Sequence, residues 1–371
     1  MTRTPSWFQR YLLPGLAFKA VVIGGGYATG RELAEYFLPA GPWGGLAAML
    51  LAMLIWSGVC VVTFEFARAT GAEDYRSFFR ALLGRFWPIF EITYLLFVVL
   101  ILAVFGAAAG AIAHAVLGVP PILGTLALML AIAGVATFGN ESVERLFKYV
   151  SILLYAVYAI FLILALTRFG DRIGAAFAAP AQSLPWAAGG ITYAAYNIVG
   201  AVVILPVTRH LTRPRDAVVA GLVAGPLAML PAILFFLSMS AFMPGIANEI
   251  LPSDFLLVRL GSPLFHLVFQ VMIFAALLES GTGAVHAINE RIAAAWRSGR
   301  DTELSGRLRL VFALLLLATC MLLADRVGLV ALIANGYRLL AYALLAVYVL
   351  PLLTIGLSRL IRRRHLSPEV A

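Results

Sequence analysis

The stretch Gly24-Gly25-Gly26-Tyr27-Ala28-Thr29-Gly30 lies inside an apolar run covering residues 12–38. Four glycines in seven positions weaken a helix by roughly 1 kcal/mol each relative to alanine. At membrane depth, freed backbone groups are tolerated only where protein buries them or a cavity receives them. The stretch therefore predicts a spanning helix with a break whose carbonyls and amides face a solute. Thr29 would cap the half-helix that follows, and the positive end of that half-helix would favour a carboxylate. Close helix packing through small residues is the competing reading, but a GxxxG face keeps its glycines four apart on an unbroken helix. A dinucleotide fingerprint is disfavoured, because no strand–helix–strand pattern surrounds the run.

Composition sets the same scene. Of 371 residues, 62% are hydrophobic and 12% charged, and the mean hydropathy is +0.97. A soluble domain carries about 45–50% apolar and about 25% charged residues, so a soluble enzyme or binding module is excluded. The formal charge of +9 does not indicate a nucleic-acid partner, because the basic residues lie between apolar runs instead of forming a basic face. Cys60 and Cys320 both fall inside apolar runs and read as small packing residues. The N-terminal apolar run continues past residue 30 with no small-residue cleavage pattern, and reads as a retained span.

Ten spans are predicted, at residues 12–38, 43–67, 88–116, 121–138, 146–167, 188–208, 217–243, 264–290, 308–324 and 328–358. Runs of this length are helices; barrel strands would show about ten residues of alternating polarity. With the N-terminus inside, twenty of the 27 Lys and Arg residues fall in inner loops and termini, four in outer loops and three (Lys19, Arg31, Arg338) within spans. The excess inside predicts an inner membrane protein with both termini cytoplasmic. Polar interruptions near Gly25 and Asn197 lie roughly 172 residues apart, and spans three and eight are offset similarly. An inverted repeat of five plus five helices follows, 1–170 and 171–371, with helices 1 and 6 broken. Paired interrupted spans are the best sequence pointer to a transporter's binding site.

Span six reads Gly189-Gly190-Ile191-Thr192-Tyr193-Ala194-Ala195-Tyr196-Asn197-Ile198-Val199-Gly200. Two tyrosines three apart and an amide at mid-membrane depth either face a cavity or bond a neighbouring helix. With Gly24–Glu32 and Glu279–Arg291, the segment Tyr193–Asn197 resembles the YkvI-like group of amino-acid permeases. That group belongs to the amino acid–polyamine–organocation superfamily with the LeuT fold. The likeness extends over nearly the whole chain in span count and order. It implies a LeuT-like, all-α membrane fold with a substrate between helices one, three, six and eight.

Charge inside a span is a functional candidate by default. Lys19 lies five residues before the first glycine, and Glu279 near the middle of span eight is followed by Ser280, Thr282 and Gly283. In sodium-coupled relatives of this fold, a cation site joins helix one to hydroxyls on helix eight. The resemblance puts Glu279, Thr282 and Gly283 on that face and the Lys19 ammonium where sodium would sit. Proton coupling or exchange is expected instead, with Lys19 and Glu279 as the coupling pair; a permanent structural ion pair is the alternative. Arg338 lies about 15 Å into span ten by helical rise. A gate between Arg338 and Glu32 or Glu35 is expected, although Arg31 and Glu35, four apart, are placed to neutralise each other.

The remaining polar residues read as loops or helix ends. The histidines have no metal-ligand spacing, and every Asp lies in a loop or at a span end. Neither G-x-S-x-G nor Walker A is present, so hydrolysis and ATP-driven pumping lack their parts. Asn140-Glu141-Ser142 matches a glycosylation sequon but falls on the inner side. The expected function is secondary transport of a small amino acid or related zwitterion or amine, with no cofactor, no metal and no enzymatic activity. The substrate seat is expected at Gly24, Gly25, Gly26, Tyr27, Ala28 and Thr29 with Tyr193, Tyr196 and Asn197. A membrane-embedded receptor or channel of the same fold is the alternative.

Overall fold

A computed structural model describes residues 5–138, 141–180, 185–299 and 305–366. Asn140 of the sequon lies outside them. No strand occurs among the described residues, and ten helical spans cross the bundle. Span 1 consists of Leu13–Val22, a single turn Gly25–Ala28, and Arg31–Tyr36. Span 2 is Gly41–Thr70, span 3 Trp87–Leu117, span 4 Pro121–Phe138 and span 5 Glu141–Ala178. Span 6 is Ala187–Asn197 continued by Gly200–Val203; span 7 is Pro214–Ser240, span 8 Pro263–Gly299 and span 9 Gly306–Val327. Span 10 runs from Leu329 to Leu366 and includes three wide turns, Leu332–Tyr337, Leu345–Val349 and Leu352–Gly356.

Each span matches a predicted apolar run to within about five residues, except that the helix of span 5 extends further at both ends and those of spans 8 and 10 extend further at their C-terminal ends. Three short helices among the described residues were not anticipated, the first being Trp7–Tyr11. Tyr75–Leu83 precedes span 3, its start capped by the Asp74 carboxylate, which accepts from Ser77 N–H at 2.8 Å. Pro252–Leu260 lies between spans 7 and 8.

The spans sort into two packed groups. Spans 1, 2, 6 and 7 form one and spans 3, 4, 8 and 9 the other, with span 5 against 7 and 8 and span 10 against 6 and 3. Lipid is as apolar as leucine, so helices associate through close packing and not through hydrophobic burial. Span 7 shows how the sequence achieves this. Ala217, Ala220, Gly221, Ala224, Gly225 and Ala228 form its buried stripe, and a side chain at Gly221 would meet the Val61 backbone of span 2. The Ser57 hydroxyl donates to Leu222 O at 3.0 Å across the same contact. Leu54, Leu96, Leu130, Ile163, Leu264 and Leu339 point outward, each more than half exposed, as a lipid-facing surface requires. Cys60 and Cys320 are buried free thiols.

The first and last described helices, Trp7–Tyr11 and Leu357–Leu366, lie at one end of the bundle. Tyr11 donates to Asp216 Oδ1 at 3.1 Å, and Arg359 donates to Ala81 O. At the opposite end Arg31 donates to Ala247 O at 2.8 Å and Glu249 O at 2.9 Å, between spans 7 and 8.

Candidate functional site

The break in span 1 has two parts. The first helical piece stops at Val22, where Ile23 turns to ψ 76°. A single turn follows, and Gly30 then adopts a left-handed φ of +79° before Arg31 starts the next piece. The Thr29 hydroxyl donates to Gly26 O at 2.9 Å and accepts from Arg31 N–H at 3.4 Å. Thr29 therefore braces the turn, and Gly30 occupies the cap position expected of it. The Thr29 carbonyl accepts from Ser253 N–H at 2.9 Å, which ties the helix Pro252–Leu260 to the break. Spans 3 and 8 pack against the Gly25–Ala28 turn, and Phe105 of span 3 faces Gly24. Tyr27 and Ala28 are buried.

Span 6 is interrupted where expected, between Asn197 and Gly200. Ile198 and Val199 keep right-handed helical angles, and the chain tightens there through Ala201 N–H to Ile198 O. Gly189 and Gly190 serve packing, because a side chain at either would collide with the Tyr36 or Ala48 carbonyl. Asn197 turns its amide back on its own helix, donating to Tyr193 O at 3.2 Å. A donor placed four residues along satisfies a local carbonyl, an option that sequence spacing alone does not expose.

The largest departure concerns Glu32. Expected at a gate beside Arg338, it is 4% exposed and its carboxyl folds back over the break. Tyr196 donates to Glu32 Oε2 at 2.5 Å. A methyl group on Gly26 would collide with Glu32 Oε1, so the glycine leaves room for that carboxyl. Around it stand aromatic rings: Tyr196 lies 4.5 Å from Tyr337, 5.6 Å from Tyr193 and 5.7 Å from Tyr36, centroid to centroid. The Tyr193 hydroxyl is buried with no hydrogen-bond partner among the described residues, while that of Tyr27 faces the Tyr158 hydroxyl. An unpartnered buried group is uncommon in folded proteins and marks a place where a further group is accommodated.

The gate residues that do meet are Arg31, Glu35 and Arg338. Arg31 donates to Glu35 Oε2 at 3.0 Å, and Arg338 Nη2 lies 4.0 Å from Glu35 Oε1. Both sequence alternatives for Glu35 thus occur together. The Arg338 side chain is 50% exposed and that of Arg31 only 6%. An exposed pair contributes about 0–1 kcal/mol, and a guanidinium bonded to two carbonyls and a carboxylate considerably more. Arg338→Gln should therefore leave thermal unfolding nearly unchanged, whereas Arg31→Gln should lower stability by about 2–3 kcal/mol. Equal shifts in Tm for the two variants would contradict this assignment.

Lys19 lies half-buried on the first piece of span 1, and Glu279 is half-buried on span 8; both are engaged by neighbours. The Thr282 hydroxyl is buried with no hydrogen-bond partner among the described residues, and Gly283 is exposed. Residues missed from sequence are Tyr36, Tyr337, Tyr158 and Trp56. Tyr158 of span 5 stands 6.2 Å from Tyr27, and Trp56 donates to Ala194 O at 3.1 Å. Each lies in an apolar run where an aromatic residue carries no distinguishing period.

No family model matches the sequence. A Bacillus subtilis (strain 168) protein described as uncharacterized membrane protein YkvI is 24% identical over 339 residues, covering 89% of this chain and 92% of its own. Among solved structures, MhsT in complex with L-phenylalanine aligns with a TM-score of 0.54 at 19% identity, covering 96% of this chain and 97% of that one. A Na+-coupled sialic acid symporter aligns at 0.63 and 13% identity, covering 95% and 82%. A manganese transporter of Eremococcus coleocola aligns at 0.52 and 16%, covering 93% and 78%. This chain has the LeuT fold. It is an all-helical membrane protein, as the likeness to the YkvI-like group implied, and the proteins sharing its LeuT fold here are transporters and not enzymes.

Proposed function

We propose that the chain is a secondary transporter that carries a small amine-bearing solute (an amino acid or related zwitterion or amine) by alternating access. The observation that carries this reading is the buried break of span 1, where Glu32, Tyr27 and the unpartnered Tyr193 hydroxyl gather. Spans 1 and 6 on one side and 3 and 8 on the other supply the walls. The two packed groups of helices give alternating access its moving parts, one rocking against the other around a fixed seat. The repeats are 1–170 and 171–371, and the arginine distribution puts both termini on the cytoplasmic side of the cell membrane.

Tyr27, Tyr193 and Tyr196 wall the seat, with the Gly24–Thr29 backbone beneath it. Arg31, Glu35 and Arg338 form the far-end closure. Lys19, Glu279 and Thr282 form the coupling element, its protonation changing through the cycle so that protons, not sodium, are coupled. Glu279→Gln tests that role. Transport by this variant should fall at least tenfold and its pH profile should shift; an unchanged rate and pH profile would assign the residue a structural role. Saturable, trans-stimulated exchange in proteoliposomes supports the transporter reading, whereas non-saturable flux would make the chain a channel and binding without flux a receptor.

A further inference from the structure

From the position of Glu32 we infer that the seat takes a small organic ammonium ion lacking a carboxylate, the cation replacing a proton on the Glu32 carboxyl. This rests on the transporter reading above and narrows its substrate class.

The place where the break of span 1 could receive a substrate carboxylate already holds one. Glu32 reaches back six residues to lie against Gly26, and its Oε2 accepts from Tyr196. Once an entering ammonium has taken the place of the Glu32 proton, a carboxylate on the same solute would meet a like charge at close range, in a setting where water cannot screen it. The neighbouring cations are committed elsewhere. Arg31 is held by Glu35, Ala247 O and Glu249 O, and Arg338 approaches Glu35. No ion pair reaches Glu32 among the described residues. A buried carboxylate with no counter-charge is costly, so a cation entering beside Glu32 supplies the partner that the carboxyl lacks.

The remaining groups facing Glu32 favour a cation. Tyr36 is on its own helix, Tyr193 and Tyr196 are on span 6, and Tyr337 is on span 10. Ring faces attract ammonium groups, more strongly when water is excluded. The Tyr193 hydroxyl, buried and unpartnered, can accept an N–H donor that Glu32 leaves free. An amine is already protonated in neutral solution, so its entry as R–NH3+ releases the Glu32 proton and leaves the charge of the seat unchanged. Carried through a cycle, this exchanges one organic cation for one proton.

Matched pairs differing only in the carboxylate test the proposal: phenethylamine against L-phenylalanine, isobutylamine against L-valine, and histamine against L-histidine. Binding to the purified full chain is read by calorimetry, with a dye reporting proton release in weak buffer. At least one amine is expected to bind ten times or more tightly than its amino acid. It should release about one proton, and its affinity should rise by up to tenfold per pH unit while Glu32 is protonated. Glu32→Gln should weaken it at least tenfold and abolish proton release, and Glu32→Asp should retain release. If Glu32→Gln does not fold, proton release and pH dependence in the wild type still decide. Tighter binding of the amino acids, amine binding without proton release, sodium binding in place of amines, or no amine binding at all would overturn the proposal. Saturable flux of the amino acids with none of the amines would refute it while leaving the transporter intact. Amine binding with no flux would instead remove the transporter reading alone.

Discussion

Gly30→Ala will destabilise the protein by about 3 kcal/mol and sharply reduce the folded yield. Two costs combine. The backbone there has φ +79°, a left-handed conformation that costs an L side chain roughly 1–2 kcal/mol. A Cβ would also stand 2.8 Å from Phe235 of span 7 and 3.1 Å from Pro252, and overpacking of this kind costs about 1–3 kcal/mol. Neither neighbour has a free direction, since Phe235 is fully buried and Pro252 starts the helix anchored through Ser253 to Thr29. Thermal unfolding in detergent measures the effect. A Tm within a degree of wild type would show that the break relaxes easily and that the second discontinuity is not fixed by Gly30.

Gly26→Ala will leave the fold largely intact and remove solute binding by about 100-fold, equivalent to about 2.7 kcal/mol. The methyl collides with the Glu32 carboxyl, which must rotate away and abandon the Tyr196 hydroxyl. The carboxyl that would meet the solute's cation is thereby turned away from the seat, and a hydrogen bond to a charged group contributes about 1.5–3 kcal/mol, the size of the expected loss. The contrast between the two glycines is the informative part: position 30 governs stability, position 26 governs the seat. Isothermal titration of both variants with whatever solute the wild type binds separates them. Wild-type affinity in Gly26→Ala would mean that the carboxyl position is irrelevant to the site.

Much of this molecule is legible in its letters because lipid imposes simple rules. Spans must be about 20 apolar residues long, backbone groups must bond internally, and charge must avoid the interior. The ten runs and the interruption at Gly24–Gly30 follow directly. Tyr75–Leu83 escaped because YRSFFRALL mixes charge and aromatics over too few residues to read as a span. Glu32 was misplaced for a different reason. Helical period relates residues three and four apart, but a left-handed Gly30 between positions 26 and 32 breaks that period, so the fold-back of the carboxyl has no signature in spacing. The spacing puts Asn197 at the cavity because a polar residue at mid-depth serves either a ligand or a neighbouring carbonyl. Only the backbone beside it, here Tyr193 O, decides between them.

The central claim is that solute crosses the membrane through a seat at the break of span 1, and counterflow in proteoliposomes tests it most directly. Vesicles containing wild type or Gly26→Ala are preloaded with unlabelled amine or amino acid, and entry of the same labelled compound is followed. Wild type is expected to show saturable uptake that an internal load accelerates, with Gly26→Ala showing none above empty vesicles. Entry that is linear in concentration and indifferent to the internal load, or equal counterflow in the two proteins, would contradict the account.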